Sequence, residues 1–328
     1  MIEDICPEKL TVGAQRLLMI CGNLKAGERC LIVYDQKTQP VVDILLQTAK
    51  KVGSTLKVIE ITDLEMHGSE PPSSVADQMC ESQLVIGLTR KSMAHTKARQ
   101  RACLAGARYL SLPEYSLELL QDKSLLADFI GESERTRRLA EHLSNKGVIR
   151  IITEKGTDLT MSSLGRQGNC CPGYVSEPGA MGSPPDIEAN VSPIETSANG
   201  IAIIDGSIPH PELGLLDEDI RLEIKDGKIS RIHGSNRVLF VLEKLFNSVD
   251  GHKSRILAEC GIGLNPFANL TGVMLTDEGA LGTMHLGFGS NSTVGGLNNV
   301  SFHLDFVLRL PTISVDGVVI VDKGKVLL

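Results

Sequence analysis

Short apolar runs alternate with longer amphipathic stretches through the first half of the chain. Cys30-Leu-Ile-Val-Tyr34, residues 55–61, Leu84-Val-Ile-Gly-Leu88 and Arg108-Tyr-Leu-Ser-Leu112 are β-rich runs. Between them, residues 15–24, 41–51 and 97–107 carry apolar side chains three and four apart, the spacing of one helix face. In the second stretch these are Val42, Ile44, Leu45 and Ala49. Apolar strands separated by helices of about three turns predict a parallel sheet covered on both faces. Residues 126–145, rich in Glu and Arg, predict a long surface helix ended by Lys146-Gly147.

The pattern changes at Gly147. Val148-Ile-Arg-Ile-Ile152 is followed by a Gly- and Pro-rich stretch at 165–185, then by short β-like runs at 201–204, 220–224, 228–232 and 315–321. Asp226-Gly227 and Asp316-Gly317 are hairpin signals. Residues 235–246 alone keep a convincing helical spacing. The expectation is an α/β, Rossmann-like domain with a parallel sheet over residues 1–147. An α+β domain with a mostly antiparallel, barrel-like sheet is expected over 148–328. The first domain carries no nucleotide fingerprint: the turn after Tyr34 lacks the GxGxxG spacing, and no GxxxxGK[ST] occurs.

With 42% hydrophobic and 22% charged residues among 328, the chain is of folded rather than disordered composition. A net charge of -7 argues against a general nucleic-acid binder. The basic cluster Arg90, Lys91, His95, Lys97, Arg99 and Arg101 reads as a solvated helix face and loop. Trp is absent and aromatics make up 3%, so the cores must be aliphatic. The eight cysteines form no CxxC pair, neither a disulfide framework nor a zinc ribbon. A reducing, cytoplasmic location is expected. The longest apolar runs are too short to cross a bilayer, so no membrane partner is expected.

The second half holds the polar residues that need an explanation. In a strand, His303 and Asp305 would face one side and Phe302, Leu304 and Phe306 the other. Such a pair is half of a metal site, although a His–Asp hydrogen bond in a core explains it equally. His285 stands in an apolar run crowded by Gly279, Gly282, Gly287 and Gly289. Glu259 lies among small and apolar residues; if buried it needs a cation or strong donors, for which Lys253 and Arg255 are candidates. Glu188 and Glu195 lie in a stretch of Pro and Ser leading to the run at Ile201. Carboxylates with two imidazoles suit Zn, Mn, Co or Fe(II). Three ligands would hold one ion, and five or six would serve two sharing a bridging carboxylate.

These residues lie in motifs by which the chain resembles the aminopeptidase T family of metallopeptidases, leucyl aminopeptidase-like enzymes, over nearly its whole length. The motifs are Leu88-Thr-Arg-Lys-Ser-Met-Ala-His-Thr-Lys-Ala-Arg99, Ala102-Cys-Leu-Ala-Gly-Ala-Arg108, Gly156-Thr-Asp-Leu159, Asp205-Gly-Ser207, Ala258-Glu-Cys-Gly-Ile-Gly-Leu-Asn-Pro266, Asp277-Glu-Gly-Ala-Leu-Gly-Thr-Met-His285, Gly295-Gly296 and His303-Leu-Asp305. The resemblance implies a metal-dependent aminopeptidase that removes N-terminal residues from peptides with water activated by two divalent ions, Zn, Co or Mn. It implies Glu188, Glu259, His285, His303 and Asp305 as metal ligands, Glu195 or Glu188 as the catalytic base, and a homodimer acting on a peptide or other small molecule.

Two positions depart from that family. Ile187 replaces the Gly that precedes the ligand at Glu188, and no Tyr follows His285 closely. The nearest aromatic, Phe288, cannot donate a hydrogen bond. A related branch, the ring-cleaving 2,5-dihydroxypyridine dioxygenases, shares the fold and uses one Fe(II) held by two His and one Asp. His285, His303 and Asp305 match such a triad. Glu259 and Glu188 are surplus to it, which favours the two-metal hydrolase. A metal-binding member of the family without turnover is the third reading.

Overall fold

In the computed structural model, which describes residues 4–328, the expected parallel sheet forms from Arg29–Tyr34, Thr55–Glu60, Leu84–Leu88 and Arg108–Ser111. Arg29–Tyr34 lies between Thr55–Glu60 and Leu84–Leu88, and Met181–Gly182 adds a fifth parallel strand beyond Arg108–Ser111. Leu84–Leu88 is buried at every position, as a strand covered on both faces must be. On one face Leu31, Val33, Val85 and Tyr109 pack with Val75, Met79, Ala98 and Ala102 of helices Ser73–Cys80 and Lys97–Leu104. The first of these helices escapes the sequence pattern because it buries only Val75, Ala76 and Met79, too few to print a periodicity. The first helix also begins earlier than its apolar spacing predicts, at Pro7, and passes into a wider turn over Arg16–Cys21.

The chain folds as two units. One comprises the chain to Ile130 and the returning segment Gly173–Pro185, which supplies the fifth parallel strand. The other comprises Gly131–Pro172 and Asp186–Leu328, so helix Phe129–Leu143 belongs almost entirely with it. No described helix is long and apolar enough to cross a membrane.

The second unit contains two antiparallel sheets, one of eight strands and one of seven. Neither closes on itself among the described residues, which corrects the barrel-like expectation. Closure would pair the outermost strands. Instead the eight-stranded sheet ends at Lys228–His233, whose exposed Ser230, Arg231 and His233 give it a solvated edge. Both hairpin signals hold: Asp226-Gly227 and Asp316-Gly317 have all four residues at positive φ, the backbone that two-residue hairpins demand.

The seven-stranded sheet carries the polar residues. Its central strands are Glu188–Val191, Leu257–Gly263, Thr283–Gly289 and His303–Arg309. The three strands Glu188–Val191, Leu257–Gly263 and Thr283–Gly289 are buried throughout. Side chains alternate between faces. One face presents Cys260, Ile262, Met284, Leu286, Phe288, Leu304, Phe306 and Leu308, all buried. Phe306 stacks parallel to Phe246 of helix Asn236–Phe246 at 6.4 Å between centroids and meets Phe288 edge-on at 5.3 Å. The other face is reserved for the site.

Candidate metal centre

Register assembles the centre. Gly287 lies opposite both Glu259 and Asp305; Gly261 lies opposite both His285 and Asn190; Gly263 faces Glu188. Opposed residues share a face, so functional side chains and glycines alternate across four strands. The glycines make the room. A Cβ on Gly261 would lie 2.1 Å from the His285 ring, and one on Gly287 would lie 2.7 Å from His303 Nε2 and 2.8 Å from Asp305 Oδ1.

Glu259 sits between the two imidazoles. Its Oε1 is 3.8 Å from His285 Nε2 and its Oε2 is 3.5 Å from His303 Nε2. Glu188 Oε2 is 3.2 Å from His285 Nε2, and Asp305 Oδ1 is 3.2 Å from His303 Nε2. One ligand atom each from Glu188, Glu259 and His285 fall within 4.8 Å of one another. His303 Nδ1 donates to the Ser290 carbonyl at 3.0 Å, which leaves Nε2 for the cluster. Asn190 Nδ2 donates to Glu188 Oε1 at 2.6 Å, and Asn169 Nδ2 donates to Asn190 Oδ1 at 2.8 Å. All five expected ligands are therefore gathered on one face. The His303 side chain is 34% exposed while those of His285, Glu188, Glu259 and Asp305 are at most 10% exposed, so the cluster opens on the His303 side.

Two acids join the cluster that the sequence pattern did not single out. Asp186 is buried, with Oδ1 lacking any hydrogen-bond partner and lying where a Cβ on Gly279 would come within 2.6 Å. Glu278 is half-buried and bonds to Asp305. The signal for Asp186 was its place two residues before Glu188, the interval that returns to the same side of an extended chain. Glu278 had none beyond its neighbour Asp277, whose carboxylate accepts from the Thr271 and Gly272 amides at 2.7 and 2.9 Å and only shapes the turn.

The electrostatics call for a cation. Five carboxyl groups face two imidazoles. Burial pushes Asp186 well above the usual carboxylate range, and Glu188 beside it pushes further. Burial, then Asp305, Glu188 and Asp186, does the same to Glu278. Burial raises Glu188 to about 7 despite His285. Burial would lower both imidazoles, but Glu188 and Glu259 raise His285 to about 10, and Asp305 with Glu259 raises His303 to about 10. Burial works against ionisation of Asp305, yet the His303 charge holds it well below its ordinary value. Protons here do what a divalent ion would do better. The buried atoms Glu188 Oε2, Asp186 Oδ1 and His285 Nδ1 have no hydrogen-bond partner. Imidazole nitrogen and carboxylate oxygen are the donors that such an ion takes.

Glu195 is employed elsewhere. Its Oε2 accepts from Arg166 Nη2 at 2.6 Å, and its Oε1 accepts from Asn291 Nδ2 at 2.9 Å and the Leu297 amide at 2.6 Å. Burial opposes its ionisation, but these donors hold its carboxyl below the ordinary value.

The family model described as NicX, 2,5-dihydroxypyridine 5,6-dioxygenase, matches residues 10–328. The chain belongs to this family. A curated 2,5-dihydroxypyridine 5,6-dioxygenase of Pseudomonas putida is 31% identical over 166 residues, 47% of each chain, so the match spans about half of that relative. The solved 2,5-dihydroxypyridine dioxygenase of Pseudomonas putida KT2440 superposes over 98% of both chains with a TM-score of 0.83 at 21% identity. Wild-type AmpT from Thermus thermophilus superposes over 98% of this chain and 99% of its own with a TM-score of 0.71 at 14% identity. These two likenesses show the shared fold. The family match overturns the metallo-aminopeptidase reading: AmpT, a relative in fold at 14% identity, carries no activity across. Glu195 as a peptidase base falls with it. Phe288, the nearest aromatic after His285, is buried against Phe306 on the apolar face, away from the acids and imidazoles.

Proposed function

We propose that the protein is a mononuclear Fe(II)-dependent dioxygenase that cleaves the ring of 2,5-dihydroxypyridine or a close analogue. The observation that supports it is the convergence of His285, His303 and Asp305 on one sheet face, beside buried polar atoms without partners, in a chain of this family. Two imidazoles and one carboxylate are the set that holds non-haem Fe(II) while leaving positions open. Bound there, iron supplies the one-electron chemistry by which dioxygen reacts with an electron-rich ring.

The chain's own residues do the rest. Glu259 lies between the two Nε2 atoms, at 3.8 and 3.5 Å, and places its negative charge beside the position of the ion. The Asn169–Asn190 chain binds Oε1 of Glu188 and leaves Oε2 facing His285 Nε2 at 3.2 Å; once that imidazole holds the iron, Oε2 is the atom that accepts a proton from a ring hydroxyl. The exposed side of His303 is where a planar substrate enters.

The test is to load the metal-free protein anaerobically with Fe(II) and then supply 2,5-dihydroxypyridine and air. About one iron per chain is expected, with one dioxygen consumed per ring opened. Iron-loaded protein that leaves the ring intact and takes up no oxygen would end this proposal.

A further inference from the structure

We propose that Glu195 is a positioning residue for the metal centre: with Arg166 and Asn291 it clamps the loop between the two histidine-bearing strands, and so aims both His303 and Glu188. The inference rests on the reading of that cluster as a metal site.

Residues 290–302 join Thr283–Gly289, which carries His285, to His303–Arg309. The segment Ser290-Asn-Ser-Thr-Val-Gly-Gly-Leu-Asn-Asn299 has little apolar content to bury. Polar bonds must therefore give it shape. Asn291 and Asn298, both buried, tie it to itself: the Asn298 amide donates to Asn291 Oδ1 at 2.7 Å, and Asn298 Nδ2 donates to the Gly289 carbonyl at 2.6 Å. The second bond reaches the end of the preceding strand, and neutral ties run outward from Asn298 Nδ2 to the Lys253 carbonyl at 2.9 Å and from Asn291 Nδ2 to the Ser192 hydroxyl at 2.8 Å. The charged tie to the rest of the unit is Glu195. It accepts from the Leu297 amide and from Asn291 Nδ2, while Arg166 bridges Glu195 and the Gly295 carbonyl. Three donors on one carboxylate, one of them a guanidinium, are charge-assisted bonds of the stronger kind.

The clamp reaches the centre by two routes, one to the ligand His303 and one to Glu188 beside the ligand His285. Ser290, next to Asn291, offers the carbonyl that accepts the His303 Nδ1 proton and so sets the ring's orientation. On the other side, Asn169 Nδ2 donates both to the Val294 carbonyl at 3.2 Å and to Asn190 Oδ1, and Asn190 holds Glu188. A loop free to drift would release both. Groups that orient metal ligands in this way are worth roughly ten- to a hundredfold in metal affinity.

Glu195→Gln is the variant to make, because the amide can still accept from Leu297 but presents a second donor to Arg166. Two readouts separate the readings. In metal-free protein labelled with 15N-histidine, the His303 Nδ1 proton should exchange slowly in the wild type and several times faster in the variant. With Co(II) as the probe, affinity should fall about tenfold or more and the visible ligand-field bands should shift. A lower Tm with unchanged exchange, affinity and bands would reduce Glu195 to ordinary structural support and overturn the proposal. Lost turnover with all three unchanged would overturn it differently, by placing Glu195 on the substrate. Asn169→Ala, which leaves the Arg166–Glu195 pair intact, frees Glu188 beside the His285 ligand and should lower Co(II) affinity without altering His303 exchange; unchanged affinity would sink the Glu188 route. If the wild type takes up neither Co(II) nor Fe(II), the iron reading fails, while the exchange comparison still decides the clamp.

Discussion

At the scale of single residues, the site depends as much on absent side chains as on present ones. Gly261 is the plainest case, since a methyl there would overlap the His285 ring. Gly261→Ala is expected to cost about 1–3 kcal/mol in stability through overpacking. Metal affinity should drop at least about tenfold as His285 is displaced. Equilibrium dialysis against Co(II) checks this, and unchanged binding would show that the sheet yields instead of the ring. Far from the site, Glu28 and the buried Arg108 are joined by two bonds of 2.9 and 2.7 Å. The Arg108 bond holds the Glu28 carboxyl below its ordinary value. A depressed folded pKa contributes stability that is present above the unfolded value, about 4.3, and is lost as pH falls through the folded one. Glu28→Gln should therefore cost about 3 kcal/mol near neutrality, because it leaves Arg108 buried without its partner charge. Urea denaturation of both proteins should show the gap narrowing as pH drops below about 4. A gap independent of pH would assign the loss to packing.

At the scale of elements, hairpin chemistry and strand register set where side chains land. Gly227 ends the turn between Ile220–Lys225 and Lys228–His233 with φ of 80°, and a Cβ there would lie 1.7 Å from the Glu195 carbonyl oxygen. The tip of this hairpin thus rests on the backbone of the residue that holds the 290–302 loop. Gly227→Ala should destabilise by about 2 kcal/mol or more through left-handed strain and the clash together. Thermal melting measures this directly; a change within about 0.5 kcal/mol would mean that the turn refolds into another type.

At the scale of the whole molecule, the proposed centre lies within one of the two units, in Asp186–Leu328. Ion binding should then stabilise that unit by about 2.7 kcal/mol at a free concentration a hundred times the dissociation constant. Chelation is expected to lower its melting transition by roughly 5–10 °C and to leave the transition of the unit built on the parallel sheet in place. Calorimetry before and after chelation resolves the two. A shift of both transitions together would show that the units melt as one.

Local pattern was enough for the parallel strands, the long helix before Gly147 and both hairpin turns, and it singled out five acids and imidazoles that share one sheet face, because apolar period, turn residues and buried-type acids are written residue by residue. Ligand types in order could not choose the reaction, since the same acids and imidazoles serve a hydrolase and a dioxygenase. The tertiary structure decided three things that no local pattern contains. It turned Phe288 into the apolar core, where the alternation of the strand sends it. It brought Asp186 and Glu278 up to the cluster of Glu188, Glu259, His285, His303 and Asp305, because they converge through a fold that brings residues of distant sequence together. It took Glu195 out of the acid cluster and set it against Arg166, Asn291 and the Leu297 amide. A chain shows which groups can meet an ion; strand register, fixed by pairing across residues far apart in sequence, decides which of them do.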